Sequence, residues 1–204
     1  MYEFIGGSHK NHLNQQRKTM RSRPILLTML FSALILSMNM INVNLYRILP
    51  FKTTYYSLTN DVQKQVTCLA DNIYFEAAHE PLDGKKAVAF VTINRVQTGN
   101  YADTICDVVH QKTGTTCQFS WYCDKSFTDR RLTVRSTSLY NEIRELATNI
   151  VVNFEKMTDV TNGATYYHAD YVRPGWKLDK VDQIGRHIFY KRKGDEIDRN
   201  REIF

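Results

Sequence analysis

Apolar and polar positions recur along this chain with two different periods. Between residues 61 and 79, Val66, Leu69, Ile73 and Ala77 fall at the three- and four-residue intervals that place them on one side of a helix. A second run, Lys85 to Val96, is apolar nearly all round, and its length predicts a buried helix rather than a strand. Pro81-Leu82-Asp83-Gly84 separates the two as a turn, and Gly99-Asn100 ends the second. Asp103 is placed to cap a short helix reaching Gln111, with Ile105, Val108 and Val109 inward. Residues 112–134 are polar and irregular; a loop of that length in a compact domain is usually functional or cross-linked. Ser136 or Thr137 then opens an amphipathic helix whose stripe is Leu139, Ile143, Leu146, Ala147, Ile150 and Phe154. After Asn162-Gly163 the period shortens. Residues 164–168 and 186–191 are short, rich in Tyr, Ile and Phe, and predict strands. Residues 193–204 read as a charged, frayed tail. The sum is an α+β domain over residues 62–192, mainly helical with a small β lobe.

The chain before this domain has no such periodicity. From Pro24 to Ile41 no charge interrupts an apolar run, which as a helix measures about 25–30 Å, the low end for crossing a bilayer. A buried soluble helix would show a polar face, and this run shows none. A cleaved signal peptide and an uncleaved signal anchor both fit. The long basic flank and the lack of a small-x-small site favour the anchor. We therefore expect one transmembrane signal anchor over 24–43, a basic cytoplasmic N-terminus over 1–23, a linker over 44–61, and the domain outside the cytoplasmic membrane.

Composition changes this picture little. Hydrophobic residues at 43% and charged residues at 24% are ordinary globular values. The formal charge of +6 is uneven, because residues 1–23 carry Lys10, Arg17, Lys18, Arg21 and Arg23 against Glu3. The rest of the chain has no basic stripe with interleaved aromatics, so nucleic acid is not an expected partner. Cys68, Cys106, Cys117 and Cys123 all follow the apolar run, and an even count in an exported domain favours disulfides. Cys117 and Cys123 flank a short loop and could close it, but three pairings remain open. Their spacing lacks the tight pair a zinc site needs, and no metal or other cofactor is expected.

The candidate chemistry centres on Asn72-Ile73-Tyr74-Phe75-Glu76-Ala77-Ala78. Glu76 lies three residues after Ile73, at the edge of the apolar face. A carboxyl held against apolar side chains keeps its proton to higher pH, which is how a general acid for a glycosidic bond is made. The plainer alternative is a helix-edge Glu paired with Lys or Arg.

An ordered set of short motifs accompanies it. They run from Cys68-Leu69-Ala70 through Glu76-Ala77, Glu80-Pro81, Gly84 and Ala87-Val88-Ala89 to Ile93-Asn94-Arg95-Val96. Thr104-Ile105-Cys106-Asp107-Val108-Val109, Cys117-Gln118-Phe119-Ser120-Trp121 and Gly163-Ala164-Thr165-Tyr166-Tyr167-His168 follow. The set closes with Val172, Pro174, Trp176 and Ile184-Gly185-Arg186-His187-Ile188-Phe189-Tyr190. Over about residues 66–191 this resembles the cell-wall hydrolase family that includes the spore-cortex-lytic enzymes, with bacterial and phage members. The resemblance implies a lysozyme-like, lytic-transglycosylase-like fold and cleavage of the glycan strand of peptidoglycan, with Glu76 as catalytic acid and base. It implies that Tyr74, Gln118, Ser120, Tyr166, His168 and Trp176 bind substrate, that no metal or cofactor is needed, and that the protein works as a monomer. Only one of Tyr166 and Tyr167 can face a groove, because neighbours in a strand point opposite ways. Ala78-His79 stands where the family commonly has Arg-Gly, and His79 is a further candidate group. Glu80 and Asp83 are candidates for a second carboxylate by proximity alone. A catalytic domain on a short anchor suits phage-induced host lysis. Two rival classes remain: a zinc amidase built on His110, His168 and His187, which lack close ligand spacing, and a non-catalytic membrane-anchored wall-binding protein.

Overall fold

A computed structural model describes residues 28–35 and 53–204. Residues 28–35 form a short helix, α1. Most of the anchor expected over 24–43, the whole of 1–23 and the linker up to residue 52 lie outside the described residues. Among the described residues, no helix is long and apolar enough to cross a membrane. Residues 53–204 form a unit of their own, considered by itself below.

Its first long helix, α2 (Asn60–Ala77), is capped by Thr59, whose side chain accepts from the Val62 amide, and Asp61 in the first turn suits the positive helix start. Val66, Leu69 and Ile73 are completely buried, as their spacing predicts. The next helix, α3, runs Leu82–Thr98, so the expected turn at 81–84 is shorter than its composition suggests. Pro81 is its N-cap, where a missing N–H costs nothing, and Leu82, Asp83 and Gly84 are already helical. Gly99 ends α3 in the left-handed conformation, φ 66°, that only glycine takes without strain.

A short helix, α4 (Ile105–His110), is capped by Thr104 rather than Asp103; Asp103 instead pairs with Arg201 at 2.6 Å. The segment 112–134 is more ordered than its polarity predicts. It holds a two-residue hairpin, β1 (Lys112–Thr113) with β2 (Thr116–Cys117), then α5 (Ser120–Cys123) and α6 (Lys125–Arg135). The amphipathic helix α7 (Ser138–Asn153) is capped by Thr137. Helices α2, α3, α4 and α7 share one core of Val66, Leu69, Ile73, Ile93, Ile105, Tyr140, Ile143 and Ile150.

Three antiparallel strands follow, β3 (Tyr166–Ala169), β4 (Asp179–Ile184) and β5 (His187–Lys191), in the order β3-β5-β4. The register pairs Tyr167 with Phe189 and Ala169 with His187. Strand alternation thus puts these four residues on one face, and Tyr166, His168 and Tyr190 on the other. The polar, largely exposed sequence of β4 hides it from a hydrophobic reading.

Residues 193–204 are not frayed. Ile203 is fully buried in the helical core, and its carbonyl accepts from the Ile105 amide at 3.2 Å. Asp195 is buried too, holding Arg192, Asn100 and the Thr165 hydroxyl. Two disulfides resolve the open pairing. Cys68–Cys106 ties α2 to α4, and Cys117–Cys123 closes the loop around α5.

Candidate active site

Glu76 is the next-to-last residue of α2, where the helix face turns from the core to solvent. It is half-buried in a cleft of about 300 Å³ lined by Tyr74 to Glu80 along one side and by Arg130 and Val134 of α6. Burial raises its carboxyl above the ordinary range. Tyr167 from β3 and the positive charge of Arg95 from α3 oppose that rise without cancelling it. Neither partner engages the carboxyl fully. Among the described residues no ion pair involves Glu76. The buried Tyr167 hydroxyl lies beside the carboxyl but makes no hydrogen bond of full geometry.

Arg95 is only 5% exposed. Its Nε donates to the Thr165 carbonyl at 2.8 Å, and its guanidinium sits over the rings of Phe119 at 5.1 Å and Tyr101 at 5.4 Å. One terminal nitrogen, Nη1, is buried without a partner. The sequence offered a signal for this residue: it is the sole charge after Lys86 in an otherwise apolar helix. A cation there must find electrostatic work in the interior.

A hydrogen-bonded, stacked cluster packs around the stretch of α2 just before Glu76. The Trp121 indole N–H donates to Asn72 at 3.0 Å, Asn72 donates to the Thr92 hydroxyl at 3.1 Å, and the Trp121 ring stacks on Phe75 at 4.7 Å. One turn earlier on α2, Asp71 is held by both nitrogens of an Arg135 fork and by the Tyr140 hydroxyl at 2.7 Å.

The candidate second carboxylates are otherwise employed. Glu80 accepts the Arg186 amide at 3.0 Å, which pins the β4–β5 turn to the end of α2. Gly84 and Gly185 make room for it. A Cβ on Gly84 would come within 2.9 Å of the Glu80 side chain, and one on Gly185 would collide with its carboxylate. Gly185 also needs its positive φ of 57° to turn the hairpin. Asp83 is exposed and pairs with Lys86 at 3.2 Å.

The other sequence candidates scatter. Tyr74 and exposed His79 line the Glu76 cleft. Gln118 and Ser120 are exposed on either side of buried Phe119 and do not line it. Tyr166 and His168 lie on the face of the sheet opposite Tyr167. There His168 bonds the Tyr190 hydroxyl at 2.9 Å, and Trp176 packs edge-on against Tyr166 and His168, each at 5.7 Å. Of the two adjacent tyrosines, it is Tyr167 and not Tyr166 that reaches the carboxyl, because the inward face of β3 is set by its pairing with Phe189. His110, His168 and His187 do not converge. His110 stacks on Tyr122 at 4.3 Å, and the other two sit on opposite sheet faces.

The cell wall hydrolase family model matches residues 79–190. This chain belongs to the cell wall hydrolase family. The matched span opens three residues after Glu76 and takes in Arg95 and Tyr167. Among curated relatives, the spore cortex-lytic enzyme of Oceanobacillus iheyensis is 28% identical over 132 residues, 63% of this chain and 42% of that protein. That of Halalkalibacterium halodurans is 29% identical over 133 residues, 64% of this chain and 34% of that protein. The chain spans less than half the length of either. The crystal structure of the catalytic domain of the Bacillus cereus SleB protein aligns with a TM-score of 0.47 and 23% identity, covering 63% of this chain and 91% of that domain.

Proposed function

We propose that this cell wall hydrolase cleaves the glycan strand of peptidoglycan with Glu76 as the single acid and base. One observation carries the reading: Glu76 is a half-buried carboxyl in an open cleft, raised by desolvation and left without an ion pair. A protonated Glu76 donates to the glycosidic oxygen as the bond to the sugar carbon breaks and positive charge develops there. The resulting carboxylate then takes the proton of the sugar's own hydroxyl, whose oxygen closes on that carbon. Each proton is accounted for, and no water is consumed. This lytic-transglycosylase route suits a site where Glu80 is committed to a backbone amide. Hydrolysis with a second carboxylate would need Glu80 or Asp83 to be free.

Glu76→Gln in the oxidised full-length chain tests the reading on purified peptidoglycan. A loss of about a hundredfold or more is expected, since acid–base groups contribute 10²–10⁴-fold. Parent-like activity in that variant sinks the mechanism. Mass spectrometry of the products separates an anhydro sugar, expected here, from a hydrated reducing end. Insensitivity to chelators separates this reading from a zinc amidase.

The proposed setting is the outer side of the cytoplasmic membrane, anchored through residues 24–43 with the N-terminus inside, in the manner of a phage lysis enzyme. The basic flank of the apolar run and the two disulfides support export. A periplasm-active reporter fused after Phe204 should be active and one fused before Pro24 silent. The reverse pattern rejects the topology.

A further inference from the structure

The guanidinium of Arg95 is an unusual thing to bury. Its fork could grip a carboxylate with two bonds, yet no carboxylate ion-pairs with it among the described residues. Its Nε is used by the Thr165 carbonyl, the aromatic rings of Tyr101, Phe119 and Tyr166 surround it, and Nη1 has no partner. The charge of the Glu76 carboxylate reaches it, and the phenols that also face it are Tyr101, Tyr166 and Tyr167. Those that face Glu76 are Arg95 and Tyr167, with His79, Glu80 and Arg130 on the cleft wall.

We propose that Arg95 is a positioning residue for the reaction, a buried counter-charge held on the Thr165 carbonyl and out of an ion pair, so that the Glu76 carboxyl is free to give its proton and the carboxylate it leaves is stabilised. The proposal rests on Glu76 being the acid. A direct Arg–Glu bond would lock the carboxylate and abolish the acid; no cation at all would leave the carboxylate half of the cycle uncompensated. The anchor on the Thr165 carbonyl and the aromatic walls keep the guanidinium from collapsing onto Glu76. Its position on α3 and the position of Glu76 on α2 are fixed relative to each other by the Asn72–Thr92 bond between the same two helices.

The test is the pH–rate profile of Arg95→Met, Arg95→Gln and Arg95→Lys beside Glu76→Gln, with thermal melts to confirm folding. Gln retains a donor for Thr165 and is neutral; Met is neutral and apolar; Lys keeps the charge. In both neutral variants kcat should fall about tenfold with KM little changed, and the alkaline limb should move to higher pH, since the cation that lowers the carboxyl is gone. Lys should hold the limb close to the parent's. A merely structural Arg95 would lower stability or activity without moving the limb, and that result overturns the proposal. So does failure of both neutral variants to fold while Arg95→Lys folds and titrates like the parent, because the charge would then serve the fold. Should Glu76→Gln itself stay active, the functional reading fails first; a dead Glu76→Gln with an unmoved limb in the neutral variants removes only Arg95.

Discussion

Asp71 and Glu76 sit on the same helix, five residues apart, and each is offered one arginine and one tyrosine. Asp71 is gripped by Arg135 and bonded by Tyr140, is 2% exposed, and has nothing left to give a substrate. Glu76 has Arg95 at a distance and Tyr167 alongside without a full bond, and it faces a cleft. The partner types are alike, so the difference lies in geometry. Bidentate pairing turns an acid into a strut for α6 and α7. Withheld pairing leaves Glu76 a raised carboxyl facing the cleft, which is what the proposed role of acid requires.

Swapping the two acids one at a time is the strongest way to break this comparison. Glu76→Gln should lose activity by about a hundredfold or more and keep its fold. Burial raises the Glu76 carboxyl, so its favourable contribution is full below the unfolded value and is lost as pH rises through the folded one. At neutral pH the Gln variant should therefore melt no lower than the parent. Asp71→Asn should do the opposite: about 2–4 kcal/mol less stable in denaturant, discounted because Arg135 is partly exposed, with activity per folded molecule near normal. If Asp71→Asn kills activity while stability holds, the division between strut and acid is wrong.

The disulfides should divide the same way. Removing Cys68–Cys106 opens a separation of 38 residues and should cost about 4 kcal/mol, while Cys117–Cys123, separated by 6, should cost about 2. The smaller loss should nevertheless be felt more in rate. Its loop carries Phe119 under Arg95 and Trp121 under Phe75. Melts and assays on the two double-serine variants, each made without reductant, decide it.

Smaller effects sharpen the picture. Tyr167→Phe removes the hydroxyl that lowers Glu76, so the alkaline limb should move up and the rate fall by less than about fivefold, below the worth of one modest hydrogen bond because the contact is not fully formed. Tyr166→Phe, on the other sheet face, should leave the limb in place. Glu80→Gln keeps an acceptor for the Arg186 amide and removes only charge, so less than about a twofold change is expected. A large kcat loss with intact folding would return Glu80 to the list of reacting groups.

Much of this protein was legible before any coordinates. Periodicity located α2 and α7, because a helix that buries one side must repeat its apolar residues near every 3.6 positions, and the length of an apolar run located α3, which is buried nearly all round. The position of Glu76 at the margin of such a face made it a candidate acid beside the plainer alternative of a helix-edge Glu paired with Lys or Arg. The small β lobe was half visible: β3 and β5 bury a face and show it, whereas β4 is mostly exposed and leaves no apolar trace. The tail was misleading for the same reason. Its charges dominate its composition, but a single side chain, Ile203, and the satisfied carboxylate of Asp195 dock it.

What the sequence determined by itself was the set of local elements, each fixed by residues close together in the chain, and the ordered motifs over about residues 66–191 that resemble the cell-wall hydrolases and point to Glu76 as the candidate acid. Only tertiary structure decided which tyrosine faces the carboxyl, which cysteines pair, and which of Asp71 and Glu76 is neutralised. Apart from Cys117–Cys123, six positions apart, those outcomes rest on contacts between residues 19 to 91 positions apart, such as Glu76 with Arg95 and Tyr167 or Asp71 with Arg135. An ionisable group takes its character from what is packed within a few ångströms of it. No period along the chain encodes that distance.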